Sequence, residues 1–177
     1  MRRGFTLIEV MAVVMVLAVL AGAAAWTMTE QLRSRRSLTA IEQLTGADRT
    51  ARLAARSNGG STRLEIDLDA GLSVRYDQPE GALAARRAHP IQLPDGTEMR
   101  RVWLHLPSGK VEVRHGRVSI PYSTEGSSPT YAIELARADQ AQWLVVAGLT
   151  GQTFLQQETH HVEALFTLLA AGRTDPA

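Results

Sequence analysis

Hydrophobic and polar positions along this chain follow three successive regimes. From Phe5 to Trp26 the apolar run is almost unbroken: Glu9 is the one strongly polar residue, Thr6 is a mild exception, and Val10 to Trp26 holds neither charge nor Pro. A helix over these 22 residues rises ~33 Å, enough for a hydrocarbon core of ~30 Å, so residues 5–26 are expected to span a membrane. From Thr27 to Arg56 there is no Pro and only Gly46. Leu38, Ile41, Leu44, Ala47, Ala51 and Ala54 recur at spacings of three and four, while Arg33, Arg36, Glu42, Gln43, Arg49, Arg52 and Arg56 occupy the remaining face. That is the pattern of an amphipathic helix laid against something else. The breaker cluster Ser57-Asn58-Gly59-Gly60-Ser61 ends it, so one helix is expected over 5–57.

Beyond Ser61 the period becomes two. Leu64, Ile66 and Leu68 alternate with Arg63, Glu65 and Asp67; Asp69-Ala70-Gly71 turns the chain, and Leu72, Val74 and Tyr76 continue the alternation as a hairpin partner. Val102, Leu104 and Leu106 form a further strand, turned by Pro107-Ser108-Gly109 into Val111 and Val113, and His115-Gly116 turns again into Val118-Ser119-Ile120. Strands are also expected at Tyr131–Leu135, Trp143–Ala147 and Gln152–Leu155, with residues 77–99 as a long loop. The reading is α+β: a long N-terminal helix covering one side of an antiparallel sheet domain over 62–157. In the tail, 158–177, Val162, Leu165, Phe166, Leu168 and Leu169 suggest a short amphipathic helix ending near Gly172. The pattern leaves open whether that helix packs on the domain, meets a neighbouring subunit or is poorly ordered.

At 177 residues the chain has room for one anchor and one domain of ordinary size. The net charge of +1 gives no reason to expect an acidic partner, and all but Lys110 of the 19 basic residues are Arg, scattered along the chain. The absence of Cys removes disulfides, thiolate nucleophiles and cysteine-based zinc sites. An ordinary cleaved signal peptide is the plain alternative for the N-terminus, since Ala21 to Ala25 imitates a cleavage site. Against it stand the very short leader Met1-Arg2-Arg3-Gly4 and the carboxylate inside the apolar run.

An isolated Glu in a membrane helix costs a few kcal/mol and is usually kept for a function with a partner. The sequence Gly4-Phe5-Thr6-Leu7-Ile8-Glu9 resembles the processing site of type IV prepilins and pseudopilins. The resemblance implies a pilin-like fold, removal of residues 1–4 by a prepilin peptidase that cuts after Gly4, and N-methylation of Phe5. Glu9 becomes the fifth residue of the mature chain, where the family's acidic residue meets the α-amino group of a neighbouring subunit during assembly. Charge does not settle orientation, because Arg2 and Arg3 precede the span while Arg33, Arg35 and Arg36 follow it. A cytoplasmic N-terminus and a periplasmic domain are implications of the resemblance.

The second half is similar to the H-type minor pseudopilins of type II secretion. Ile120-Pro121-Tyr122-Ser123-Thr124-Glu125-Gly126-Ser127-Ser128 precedes a strand and a turn, and then comes Val145-Val146-Ala147-Gly148-Leu149-Thr150-Gly151-Gln152-Thr153. Gly126 and Gly151 can supply positive φ in these turns. Ser-Thr-Glu-Gly stands where that family has Pro-Asp-Gly, and the tail continues past the point where its members usually stop. The implied function is structural: an inner-membrane protein assembled into a periplasmic pseudopilus for protein export. Its partners would be the other minor and major pseudopilins, the prepilin peptidase and the inner-membrane secretion platform. The alternative is a minor type IV pilin acting in pilus assembly or DNA uptake. That reading needs a clustered basic surface, and Arg86-Arg87 and Arg100-Arg101 are the only adjacent basic pairs in the domain, so no nucleic-acid partner is expected.

No catalytic residue, cofactor or resident metal is expected. His89, His105, His115, His160 and His161 have no metalloenzyme spacing. His160-His161 could take a divalent ion opportunistically, but adjacent surface residues before a helix is the plainer reading. Asp67, Asp69 and Asp77 are grouped near a turn without the spacing of a calcium loop. Ser127-Ser128 lacks a nucleophile elbow. Trp26 suits a membrane interface, and Trp103 and Trp143 fall on strands.

Overall fold

The structure is a computed structural model that describes residues 7–138 and 140–171; within its two helices the side chains described are Leu7, 10–22 and 39–58 in the first and 159–169 in the second. The first helix, α1 (Leu7–Asn58), ends inside the expected breaker cluster. Ten strands follow: β1 (Ser61–Asp67), β2 (Leu72–Gln78), β3 (Arg86–Arg87), β4 (Ile91–Gln92), β5 (Glu98–Leu106), β6 (Gly109–Val113), β7 (Arg117–Tyr122), β8 (Tyr131–Arg137), β9 (Gln140–Val146) and β10 (Thr153–Gln156). The second helix, α2 (Thr159–Ala171), is the last element among the described residues. The chain divides at Leu38 into two compact units.

In the first unit, every described side chain from Val10 to Gly22 is apolar and exposed. Val10 is 50% and Met15 73% exposed. Among the described residues no helix is long and apolar enough to cross a membrane. The expected span, 5–26, runs past the described side chains at both ends. Gly4 and Phe5 lie outside the described residues, and Trp26 is described only as helix backbone.

In the second unit two antiparallel sheets replace the single sheet expected from the sequence. One has the order β3-β2-β1-β7, with β4 also on β2; the other has the order β10-β9-β8-β5-β6. The expected hairpins β1–β2 and β5–β6 form, and the last two strands, β9 and β10, also pair antiparallel. The turn at His115-Gly116 does not make a hairpin: β7 leaves β6 and pairs with β1 in the other sheet. The stretch 77–99, expected as loop, contains β3 and β4, short edge strands with two residues each.

Residues facing each other across an antiparallel pair share a face of the sheet. Leu64 pairs with Arg75 and Ile66 with Ser73, so on β2 the core side carries polar residues. Val74 and Tyr76 stand on the opposite side, across from Glu65 and Arg63. The alternation in β2 is real, but the turn between Asp67 and Leu72 sets its phase, and periodicity cannot report phase.

The main core joins Ala40, Ile41, Leu44, Ala47, Ala51 and Ala55 of α1 to inward residues of both sheets, including Leu64, Ile66, Val102, Ile120, Ile133 and Leu144. Ala55 completes the buried stripe where Ala54, which is half-buried, was expected. Small side chains on the helix let it lie close to the sheet, and the bulk comes from the strands. The outer face of the second sheet is covered too. Val162 and Phe166 of α2 pack with Trp103, Ala132, Trp143 and Val145, and the rings of Trp103 and Trp143 lie 4.3 Å apart. Within the tail, α2 thus packs back on the domain. Lys110 Nζ contributes at the margin, 2.8 Å from Glu163 Oε1 and 4.0 Å from the centre of the Trp103 ring. Because β8 is covered on both faces, its burial is continuous from Tyr131 to Ala136.

Phe166 is 2% exposed, and large-to-small changes at such sites leave a cavity. Phe166→Ala is expected to lower unfolding stability by about 3 kcal/mol, read by chemical denaturation, with a red shift of tryptophan fluorescence as Trp103 and Trp143 gain water.

Candidate functional site

The residue singled out as the assembly contact, Glu9, lies in the backbone of α1, and its side chain is outside the described residues. The structure adds a polar centre that sequence patterning missed. Arg52, expected on the solvent face of α1, is 7% exposed, and Asp48, one turn earlier, is 2% exposed. They form an ion pair, with Arg52 Nε 2.7 Å from Asp48 Oδ2 and Arg52 Nη2 3.2 Å from Oδ1.

Every donor of the guanidinium is engaged. Nη1 donates to the carbonyls of Gly126 at 2.9 Å and Gly148 at 2.8 Å, and Nη2 also donates to Ser128 Oγ at 2.9 Å. The carboxylate is equally occupied: Tyr122 and Tyr131 each donate their hydroxyl to Asp48 Oδ1 at 2.9 Å. A buried ion pair is tolerable when its remaining hydrogen-bonding capacity is used in this way. Burial first, with the Asp48 carboxylate adding to it, pushes both phenols well above their ordinary range.

The cluster ties α1 to two turns at the same end of the sheets. One is Ser123–Ser128, closed by Gly126 N–H donating to Ser123 C=O at 2.8 Å; the other is Ala147–Gln152, closed by Gly151 N–H donating to Ala147 C=O at 2.8 Å. Both glycines have positive φ, as expected, at 76° and 74°. They are also required for space. A Cβ on Gly151 would stand 2.8 Å from Arg52 Nε, and one on Gly126 2.5 Å from Arg56 Nε and 3.1 Å from the Arg52 carbonyl oxygen. The backbone that turns here must also let an arginine pass. Arg56 adds a bond from Nε to the Glu125 carbonyl at 2.8 Å. The available sequence signal was an Asp four residues before an Arg, between Ala47 and Ala51 of the buried stripe, with two glycine turns further on.

The aspartates near the first hairpin are held separately. Asp67 accepts from Ala70 N–H and Arg117, Asp69 from Gly116 N–H, and Asp77 from Arg75. Asp67 pairs with Leu72 and Asp77 with Thr62, at opposite ends of the hairpin. The Ala70 N–H, then Arg117, hold the Asp67 carboxyl below its usual range. Carboxylates also engage Arg75, Arg101, Arg114 and Arg117, so much of the arginine charge on the domain is locally balanced. His105 lies edge-on to Phe166, and exposed His115 is 3.4 Å from Asp69.

Removing one partner of a buried pair strands the other. Arg52→Met is expected to cost about 3–5 kcal/mol of unfolding stability, measured by denaturant titration, against a few tenths for a change at exposed Arg114. The tyrosines give a pH signature. A phenol kept protonated by the fold but free to ionise in the unfolded chain favours unfolding as pH rises through the ordinary value of 10.0. The tyrosine contribution to stability is therefore expected to be level below that pH and to fall above it. Replacing both residues by Phe should flatten that fall, as read by thermal melts across the alkaline range.

Comparison with known proteins adds three findings. No curated protein matches the chain. Among solved structures the chain is similar to that of the minor pseudopilin EpsH from the type 2 secretion system of Vibrio cholerae, with a TM-score of 0.48 and 11% identity, covering 69% of this chain and 96% of that one. Over residues 1–25, the segment that holds Gly4, Phe5 and Glu9, the chain matches the family described as the prokaryotic N-terminal methylation motif.

Proposed function

We propose that this chain is a minor pseudopilin of the H type, a structural and assembly component of the periplasmic pseudopilus in a type II secretion system. The observation that carries the reading is the methylation motif over residues 1–25, within which the helix side chains from Val10 to Gly22 are apolar and exposed. Apolar side chains exposed on all sides of a helix call for lipid or the helices of other subunits as cover. On this reading the N-terminus is cytoplasmic and the domain periplasmic. The prepilin peptidase removes Met1–Gly4, Phe5 receives a methyl group, and Glu9 pairs with the α-amino group of a neighbouring subunit. Pairing two charges in lipid offsets most of the penalty that either carries alone. The H type rests on the segment from Ile120 to Thr153, whose two turns are those joined to Arg52.

The work done is non-covalent. The apolar helices bundle with those of the other minor and major pseudopilins on the secretion platform, and the β-rich domains decorate the outside. The experiment is intact mass spectrometry of the membrane-extracted chain. The wild type is expected to lack Met1–Gly4 and to carry one added methyl group, while Gly4→Ala accumulates as the unprocessed precursor. Normal maturation of Gly4→Ala, or cleavage near Ala25, would overturn the proposal.

A further inference from the structure

We propose that Glu158, His160 and His161 form a surface site for a divalent transition-metal ion of the zinc class. The three side chains leave the junction between β10 and α2, in the tail beyond the H-type pattern. Their ligand atoms converge, all within 4.8 Å of one another. His160 Nε2 lies 3.2 Å and His161 Nδ1 3.5 Å from the same oxygen, Glu158 Oε2. Zinc bonds of ~2.0–2.1 Å place tetrahedral ligands ~3.3–3.4 Å apart, so both distances are close to the edge of a zinc tetrahedron.

Backbone order supports the arrangement. The Glu158 carbonyl accepts the Val162 N–H at 3.2 Å, which places Glu158 at the start of α2, and Val162 is fully buried in the tryptophan cluster. The first turn that carries both histidines is thereby anchored to the sheet. The site opens on a polar depression of about 340 Å³ lined by Gln142, Leu155, Gln156, Gln157, Glu158 and His161. Water or an outside ligand can therefore complete the coordination. Two imidazoles with one carboxylate favour zinc, copper or nickel, whereas calcium and magnesium select oxygen ligands. Glu158 also supplies a negative charge at the helix N-terminus, where the backbone dipole alone would oppose a cation.

The test uses the full chain in detergent micelles, without a histidine tag and stripped on a chelating resin, titrated calorimetrically with Zn²⁺. One ion per chain is expected, with no response to Ca²⁺ or Mg²⁺. His160→Ala and His161→Ala should each weaken binding by roughly tenfold or more, at least what the loss of an outer-shell partner costs; His115→Ala should leave it unchanged. The two histidine side chains are 70% and 60% exposed, and circular dichroism checks that the variants keep their fold. Independently of any variant, the Cu²⁺-loaded wild type should show coupling to two imidazole nitrogens in its electron paramagnetic resonance spectrum. Failure to saturate at one Zn²⁺ per chain below millimolar, binding that survives loss of both histidines, or a copper spectrum with fewer than two nitrogens would each overturn the assignment. None of these outcomes bears on processing at Gly4.

Discussion

Asp48 and Arg52 sit one helical turn apart on the buried stripe of α1, and the organisation of the β-rich domain converges on them. The carboxylate receives the hydroxyls of Tyr122, at the end of β7 in one sheet, and Tyr131, at the start of β8 in the other. The guanidinium donates to backbone carbonyls of both glycine turns. Helix, two sheets and two turns therefore share one polar centre. A pair of charges removed from water is seldom a net gain over apolar packing. Its worth lies in direction: hydrophobic contact would accept many sliding positions of a helix rich in alanine, whereas the Asp48–Arg52 bonds accept one.

The apolar part of the core is permissive by comparison. Ala40, Ala47, Ala51 and Ala55 let α1 approach closely, but they offer little relief to define rotation or height. The strands supply the volume, and α2 adds a second small core around Trp103 and Trp143 on the far side of one sheet. That arrangement explains why the segment after the last strand is retained in the fold: without it, a sheet face carrying two tryptophans would lie open to solvent.

Much of this was legible in the pattern of residues. The helix end at Asn58, the hairpins and the tail helix follow from periods of 3.6 and 2 interrupted by Gly, Pro and Asp. Three matters were not legible. The division into two sheets depends on β7 choosing β1 over its sequence neighbour β6, a contact that leaves no local trace. The phase of β2 depends on its turn, which puts Val74 on the face away from Ile66. Arg52 was assigned to solvent because charge predicts exposure on average; only the positions of Asp48, Tyr122 and Tyr131 in space make it a buried residue. Of the proposed processing site, the motif Gly4 to Glu9 stands in the sequence, while Gly4, Phe5 and the Glu9 side chain lie outside the described residues.

The two-sided burial of β8 also bears on how the chain finds its pairing. In an ordinary amphipathic strand, a slip of one residue turns the greasy side toward water, and that penalty polices alignment. From Tyr131 to Ala136 both sides are covered, so hydrophobicity alone hardly distinguishes the native alignment from its neighbours. Discrimination then falls to the polar residues that decorate the strand. Tyr131 must reach Asp48, Glu134 must meet Arg101, and the irregularity between Met99 and Arg101 must fall where it does. The centre of the domain is thus a strand whose alignment is proofread by a few hydrogen bonds, and errors in folding should be sought there first.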